Sequence, residues 1–351
     1  MIQEALARLV EGRDLTLEQT IGALDDIIDG RATPAQVGGF LVALRNKGES
    51  LDELVGFAST FRKLGLHIHP KVSGRLVDTC GTGGDQIKTF NVSTISALVA
   101  AGAGVPIAKH GNRSVTSRCG SADLLEALGF NLSMEPAMVK DSIEQLGIGF
   151  MFAPAFHPAM KKVAPVRKEL GIRTIFNLMG PLMNPASADA QVLGVYSPAL
   201  PQIIASVLCR LGTREAMVVH GEGGLDEISI NGRTFVTWVK DGKMESGYRV
   251  PEDFGVSRRS QEGLEVSSVE ESARLTLRIL GGEMKSGAAV DMVMVNAAAA
   301  IMVGRKAKDV SEAVQIASES LESGAAAKKL EGLVKFSRGD LGKLESYASA
   351  Q

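Results

Sequence analysis

The stretch Leu76–Ala100, "LVDTCGTGGDQIKTFNVSTISALVA", decides how the chain folds. Its first residues are a short apolar run that suits a strand. Gly81, Gly83 and Gly84 then supply a tight turn. Asn91 stands where a helix N-cap belongs, and Ser93 and Thr94 fall in the first turn of the helix that follows. A strand leading through a glycine turn into a helix is the opening of a parallel α/β unit.

The same grammar repeats downstream. "PIAK", "IGFMF", "QVLGVY" and "AMVVHG" are further short apolar runs ending in turn residues. Helical stretches over Val92–Ala101, Ala122–Leu128, Ala137–Leu146 and Leu200–Leu211 separate them. This alternation predicts a mainly parallel central sheet covered on both faces. Ligands of such sheets bind beyond the C-terminal strand ends, so the segments at Gly81, Lys109 and Gly221 are expected at one edge. "FVTWVKDGKMESGYRV" reads as a hairpin turning at Asp241-Gly242. Ala288–Val303 reads as a buried helix.

Upstream the texture is helical only. "TLEQ" at Thr16, "TPAQ" at Thr33 and "SLDE" at Ser50 are three capping boxes, and Pro34 holds the favoured first helical position. The expected fold class is therefore α/β, a small all-helical domain plus a large α/β domain. Their expected limits are residues 1–70 and 71–351.

Composition narrows the functional classes. The chain has 351 residues, 45% hydrophobic and 22% charged, with a formal net charge of −2. That suits a globular protein with a sizeable core and argues against broad nucleic-acid binding, which needs clustered positive charge. No secretory signal stands at the N-terminus, and the longest apolar run, Ala97–Ala108, is far too short for a bilayer. Cys80, Cys119 and Cys209 form neither a metal pattern nor a disulfide framework. A cytoplasmic protein without a membrane partner is the expectation.

Four segments could carry chemistry. Gly81–Thr94 is neither a Walker A loop, which would close on Gly-Lys-Ser/Thr, nor a GxGxxG fingerprint. A glycine turn feeding a helix N-terminus still favours an anion such as phosphate. "KHGNRSVTS", Lys109–Ser117, reads as a cationic loop suited to a polyanion. "GEGGLDEIS" presents Asp226 and Glu227 side by side; with the Ser93 hydroxyl they could hold Mg²⁺, a cation that takes oxygen ligands and is completed by phosphate. In Phe156–Ala186, Arg167 or Arg173 could bind a carboxylate through a forked pair of hydrogen bonds.

Taken in order, GTGGD, NVST, KHGNR, GSAD, RTIFNLMGPLMNPA and GLDE resemble the anthranilate phosphoribosyltransferases, and the resemblance runs through nearly the whole chain. It implies joining anthranilate to 5-phosphoribosyl-1-diphosphate (PRPP) with release of diphosphate, in a cleft between the two domains of a homodimer. It also implies that a helical segment near 160–185 completes the small domain. PRPP would lie against Gly81, Gly84, Asp85, Thr89, Asn91, Val92, Ser93, Thr94 and Ser121. It would be covered by a mobile loop of Lys109, His110, Gly111, Asn112, Arg113, Ser114, Val115, Thr116 and Ser117. Ser93, Asp226 and Glu227 would hold Mg²⁺. Gly81, Asn112 and Arg167 would contact anthranilate, with His110, His157 and Pro181 close to its path. Lys109, Asn112 and Arg167 are the residues expected to matter most for turnover.

Two rivals share the architecture. A pyrimidine nucleoside phosphorylase would carry a KHS-type stretch where this chain has Lys109-His110-Gly111-Asn112. A nucleic-acid-binding relative would show a basic groove. A type I phosphoribosyltransferase is disfavoured, because the acidic pair Asp25-Asp26 lies in a capped helix and not before a Thr-Gly phosphate loop.

Overall fold

A computed structural model describes residues 1–84, 89–114 and 118–349. Four helices open the chain: α1 (Ile2–Val10), α2 (Leu17–Ile28), α3 (Pro34–Lys47) and α4 (Leu51–Lys63). All three predicted capping boxes form, with Thr16, Thr33 and Ser50 accepting from the backbone N–H three residues on. Glu53 does more than close its box. It is fully buried, accepts from the Leu15 N–H and meets the Lys47 ammonium at 3.0 Å, so it ties three helices together.

Strands and helices then alternate. They run β1 (Val77–Gly81), α5 (Val92–Gly102), β2 (Ile107–Gly111), α6 (Ser121–Ala127), α7 (Pro136–Leu146) and β3 (Ile148–Phe152). A helical segment follows: α8 (Ala153–Phe156), a 3₁₀ turn over Pro158–Lys162, α9 (Ala164–Leu170) and α10 (Phe176–Leu182). The chain returns through β4 (Ala190–Gly194), α11 (Leu200–Arg210) and β5 (Glu215–Gly221) to the hairpin β6 (Thr234–Lys240) and β7 (Lys243–Arg249). Asp241 (φ 47°) and Gly242 (φ 79°) turn it, the left-handed pair that a two-residue hairpin requires. Five helices finish the described chain: α12 (Val269–Leu280), α13 (Ala288–Val303), α14 (Val310–Glu322), α15 (Ala325–Phe336) and α16 (Leu341–Ser349).

The sheet order is β3-β2-β1-β4-β5-β6-β7, parallel from β3 to β5 and antiparallel at the hairpin. Successive strand residues point to opposite faces. Met217 and Val219 therefore join one core with α5 and α13, while Ala216 and Val218 join another. That second core is shared by the N-terminal helices with α10 and α11, through Phe40, Phe57, Phe61 and Phe176. The helical segment after β3 is thus packed on the N-terminal helices, and a cleft opens where it passes the C-terminal ends of β1 and β2.

Candidate active site

One cleft of about 510 Å³ is lined by every residue that the resemblance assigns to a site and that lies within the described chain, and by Cys80, Thr82, Phe176 and Asn177 besides. Asp85, Val115, Thr116 and Ser117 fall outside the described residues.

The sheet wall is built by glycine. β1 and β4 run in register, Gly81 opposite Gly194, and both end there. The turn after β5 folds back over these two ends. It sets Asp226 so close that a Cβ at Gly194 would stand 1.5 Å from the Asp226 carbonyl oxygen, and one at Gly81 would stand 2.2 Å from its carboxylate. No side chain fits at either position without moving the acidic loop. The carboxylate then accepts from the Gly83 N–H at 2.8 Å. Glu227 accepts from the Ser93 N–H at 3.1 Å.

This arrangement corrects the expected cap. Asn91 precedes α5, but its side chain does not cap the helix. Its amide donates to the Cys119 carbonyl, and its oxygen accepts from the Ser272 hydroxyl at 2.7 Å. Glu227 takes the first-turn N–H instead. The Thr94 hydroxyl, in the same turn, is buried without a hydrogen-bond partner among the described residues, and it lines the cleft. An orphaned buried hydroxyl at a cleft wall is a contact for a ligand.

Asp226 and Glu227 are each 8% exposed. Burial raises the Asp226 carboxyl above its usual range, against the Gly83 hydrogen bond, and no lysine or arginine among the described residues forms an ion pair with it. Two buried carboxylates beside the Ser93 hydroxyl are a hard-oxygen set that fits Mg²⁺. No group of three or more acidic, histidine or cysteine side chains gathers among the described residues, so substrate oxygens and water would have to complete the coordination.

β2 departs from expectation. Lys109, His110 and Gly111 were expected in a mobile loop, yet they pair with Phe150, Met151 and Phe152 of β3 as ordinary strand residues. Lys109 and His110 are buried. The Lys109 ammonium donates to the Thr79 carbonyl at 2.6 Å and to the Ser93 hydroxyl at 3.4 Å. Desolvation lowers its pKa, opposed by the charge of Asp78. The loop proper starts at Asn112. There Arg113 bonds Asp123 and Glu126 of α6, so its charge is already matched in this arrangement.

The helical wall places the two arginines differently. Arg173 donates to the Gly84 carbonyl and lies over the Tyr196 ring at 4.7 Å, so it braces the glycine turn. Arg167 lines the cleft and lies over the Phe176 ring at 5.0 Å, and its guanidinium has no hydrogen bond or ion pair among the described residues. Gly171 (φ 61°) ends α9 between them.

His110 and His157 meet edge to face, ring centroids 5.0 Å apart. Nδ1 of His110 faces the Gly180 carbonyl at 3.0 Å, which places the proton on that nitrogen and leaves Nε2 buried and unpaired. Burial depresses His110 to about 3 and His157 to about 4, so both rings are neutral at physiological pH. The unfolded chain takes up a proton at each near pH 6.5 and the folded chain does not. Stability is therefore full above that value and falls as pH drops toward the folded values. For His157, a shift from 6.5 to about 4 is worth roughly 3 kcal/mol. Denaturant titrations from about pH 7 down to about pH 4 should show a shallower acid loss in His157→Gln than in the unaltered protein. Identical slopes would contradict the assignment.

Reading the sequence missed Asp78, Gln191 and Gly194. Asp78 and Gln191 had left a signal, since each is a polar residue within an apolar strand run. Gly194 acts through backbone approach, which no local pattern announces.

Known proteins resemble the chain along nearly its whole length. The helical bundle domain of the glycosyl transferase family matches residues 3–65, and the a/b domain of the same family matches residues 73–327. An anthranilate phosphoribosyltransferase of Acetivibrio thermocellus is 48% identical over 336 residues, covering 96% of each chain. That of Methanosphaerula palustris is 51% identical over 341 residues, covering 97% of this chain and all of its own. The crystal structure of the Thermus thermophilus enzyme superposes with a TM-score of 0.89 at 43% identity, over 95% of this chain and 99% of that one. The Saccharomyces cerevisiae enzyme in complex with PRPP and Mg superposes at 0.87 with 28% identity, over 96% of this chain and 98% of that one. The chain belongs to the anthranilate phosphoribosyltransferases.

Proposed function

We propose that the cleft holds PRPP along the sheet edge and anthranilate along the helical wall, and that the residues named above divide the work accordingly. The reaction forms a bond from ribose C1 to the anthranilate nitrogen, breaks the bond from C1 to the diphosphate oxygen, and releases the amine proton. The observation that carries the assignment is that a buried acidic pair on the sheet edge and the unengaged Arg167 on the helical wall line one cleft.

Asp226, Glu227 and Ser93 would hold Mg²⁺. Bound there, the cation would neutralise charge on the leaving diphosphate. Lys109, fixed between Thr79 and Ser93, adds a buried positive charge whose value is high because water is excluded. Thr94 offers its free hydroxyl. Arg167 takes the carboxylate of anthranilate in a planar fork and sets the amine against C1. An aromatic amine is unprotonated at neutral pH, so it attacks without prior loss of a proton, and no general base is required. The neutral, buried His110 and His157 suit walls of the acceptor path.

The small lobe in this reading is residues 1–70 completed by the helical segment near 160–185, and the large lobe lies within residues 71–351. Val10 and Val42 are exposed on the N-terminal helices, as is Met1 before them, which suits a homodimer formed through that lobe. We assign the protein to the cytoplasm; no described helix is long and apolar enough to cross a membrane. PRPP binding followed by calorimetry with and without Mg²⁺ tests the sheet-edge half of the assignment. Binding that strengthens with Mg²⁺ is expected; affinity indifferent to Mg²⁺ would remove the proposed role of the acidic pair. Thymidine or uridine with phosphate should give no free base.

A further inference from the structure

Asp78 is the second residue of β1 and is fully buried. A buried carboxylate needs partners, and the identity of the partners tells what it holds. One oxygen accepts the backbone N–H of His110 at 3.2 Å, and the other accepts the side-chain amide of Gln191 at 3.3 Å. Each of these partners reaches one step further. The His110 ring donates from Nδ1 to the Gly180 carbonyl at 3.0 Å. The Gln191 amide donates to the Pro181 carbonyl at 2.7 Å. Gly180 and Pro181 are consecutive, and both line the cleft. Gln191 is 4% exposed and His110 6%, so water does not compete for these bonds.

We infer that Asp78 and Gln191 are positioning residues for the acceptor end of the cleft: the buried carboxylate holds the Gln191 amide and the His110 backbone, and the Gln191 amide and the His110 ring in turn hold the adjacent carbonyls of Pro181 and Gly180. The inference rests on the placement of anthranilate beside Arg167 and Pro181 proposed above. The geometry makes the task specific. Pro181 lies inside the short helix α10 and has no N–H to give to that helix, so a hydrogen bond to its carbonyl from outside adds a support the helix lacks. Burial raises the Asp78 carboxyl above its usual range, opposed by the nearby charge of Lys109. The Pro181 carbonyl can only accept, so the Gln191 amide turns its NH₂ group toward it and toward Asp78, with the Cys80 sulfur 3.1 Å from the same nitrogen.

The test compares Asp78→Asn, Gln191→Met and Arg167→Lys with the unaltered protein, reading the KM for anthranilate, the KM for PRPP, kcat and Tm. Gln191→Met keeps volume and leaves the charge balance of Asp78 and Lys109 intact, so it carries the test if Asp78→Asn folds poorly. Ser142→Ala is the control, because it deletes an equally buried side-chain bond, to the Ile148 carbonyl at 2.7 Å, with Ser142 outside the cleft wall. The expected result for Gln191→Met is an anthranilate KM raised about five- to tenfold, the scale of one lost buried hydrogen bond, with the PRPP KM within about twofold. Ser142→Ala should leave both constants unchanged. A merely structural role would lower Tm and the active fraction while leaving both KM values alone, and that result would overturn the inference. If Arg167→Lys also leaves the anthranilate KM unchanged, the placement of the acceptor fails first. If Arg167→Lys raises it and Gln191→Met does not, only the positioning role fails.

Discussion

The double variant Asp226→Asn with Glu227→Gln should lose about a thousandfold or more in kcat/KM while folding at least as well as the unaltered protein. Both halves follow from the same burial. The two carboxylates are almost wholly removed from water, and burial penalises the charge on Asp226. Functional sites concentrate such unfavourable groups because their charge is matched only when substrate and cation arrive. The amides are close in shape, and their oxygens can still accept from the Gly83 and Ser93 N–H groups. Removing the charge therefore relieves a cost in the folded state, and Tm should hold or rise. Charge stabilisation on a leaving diphosphate is lost at the same time. Several kcal/mol is the usual scale for such a contribution, and about 4 kcal/mol is a thousandfold. Steady-state rates with a thermal melt on the same preparations check both halves. Turnover near that of the unaltered protein would show that the acidic pair holds nothing the reaction needs.

Arg167→Lys is the second large effect. It should raise the KM for anthranilate by about ten- to a hundredfold and move the KM for PRPP by less than about twofold. Charge-assisted hydrogen bonds are worth about 1.5–3 kcal/mol each, and a lysine keeps the charge but loses the planar fork. Stability should change little. Arg167 has no ion pair among the described residues to lose, and the lysine stem can still cover the Phe176 ring. An anthranilate KM that stays the same would move the carboxylate anchor elsewhere on the cleft wall.

Much of this was legible before the structure. The capping boxes at Thr16, Thr33 and Ser50 form because each uses contacts within one turn of chain, and the Asp241-Gly242 hairpin forms because two residues there tolerate positive φ. The cleft was legible for another reason: parallel strands end at one edge, so glycine and charged segments that follow strands must converge. What escaped depends on distant partners. Asn91 gives up its capping role to Ser272, 181 residues away, and Glu227 takes the cap from 134 residues away. Lys109 looked like a loop cation because its neighbours Gly111 to Arg113 are loop-like, yet pairing with β3 extends the strand through Gly111. Arg113 reads as a free charge in sequence and is matched by Asp123 and Glu126 in space. Arg167 and Arg173 lie close together in sequence, on either side of the left-handed Gly171 that ends α9, and only the fold shows that Arg167 lines the cleft while Arg173 meets the Gly84 carbonyl.

The central claim is a Mg²⁺-dependent transfer from PRPP to anthranilate in this cleft. Its most direct test mixes the purified protein with PRPP, MgCl₂ and anthranilate and follows anthranilate fluorescence. A loss of fluorescence that requires PRPP and is abolished by EDTA is the expected result. Fluorescence that stays constant, with PRPP bound and metal present, would contradict it.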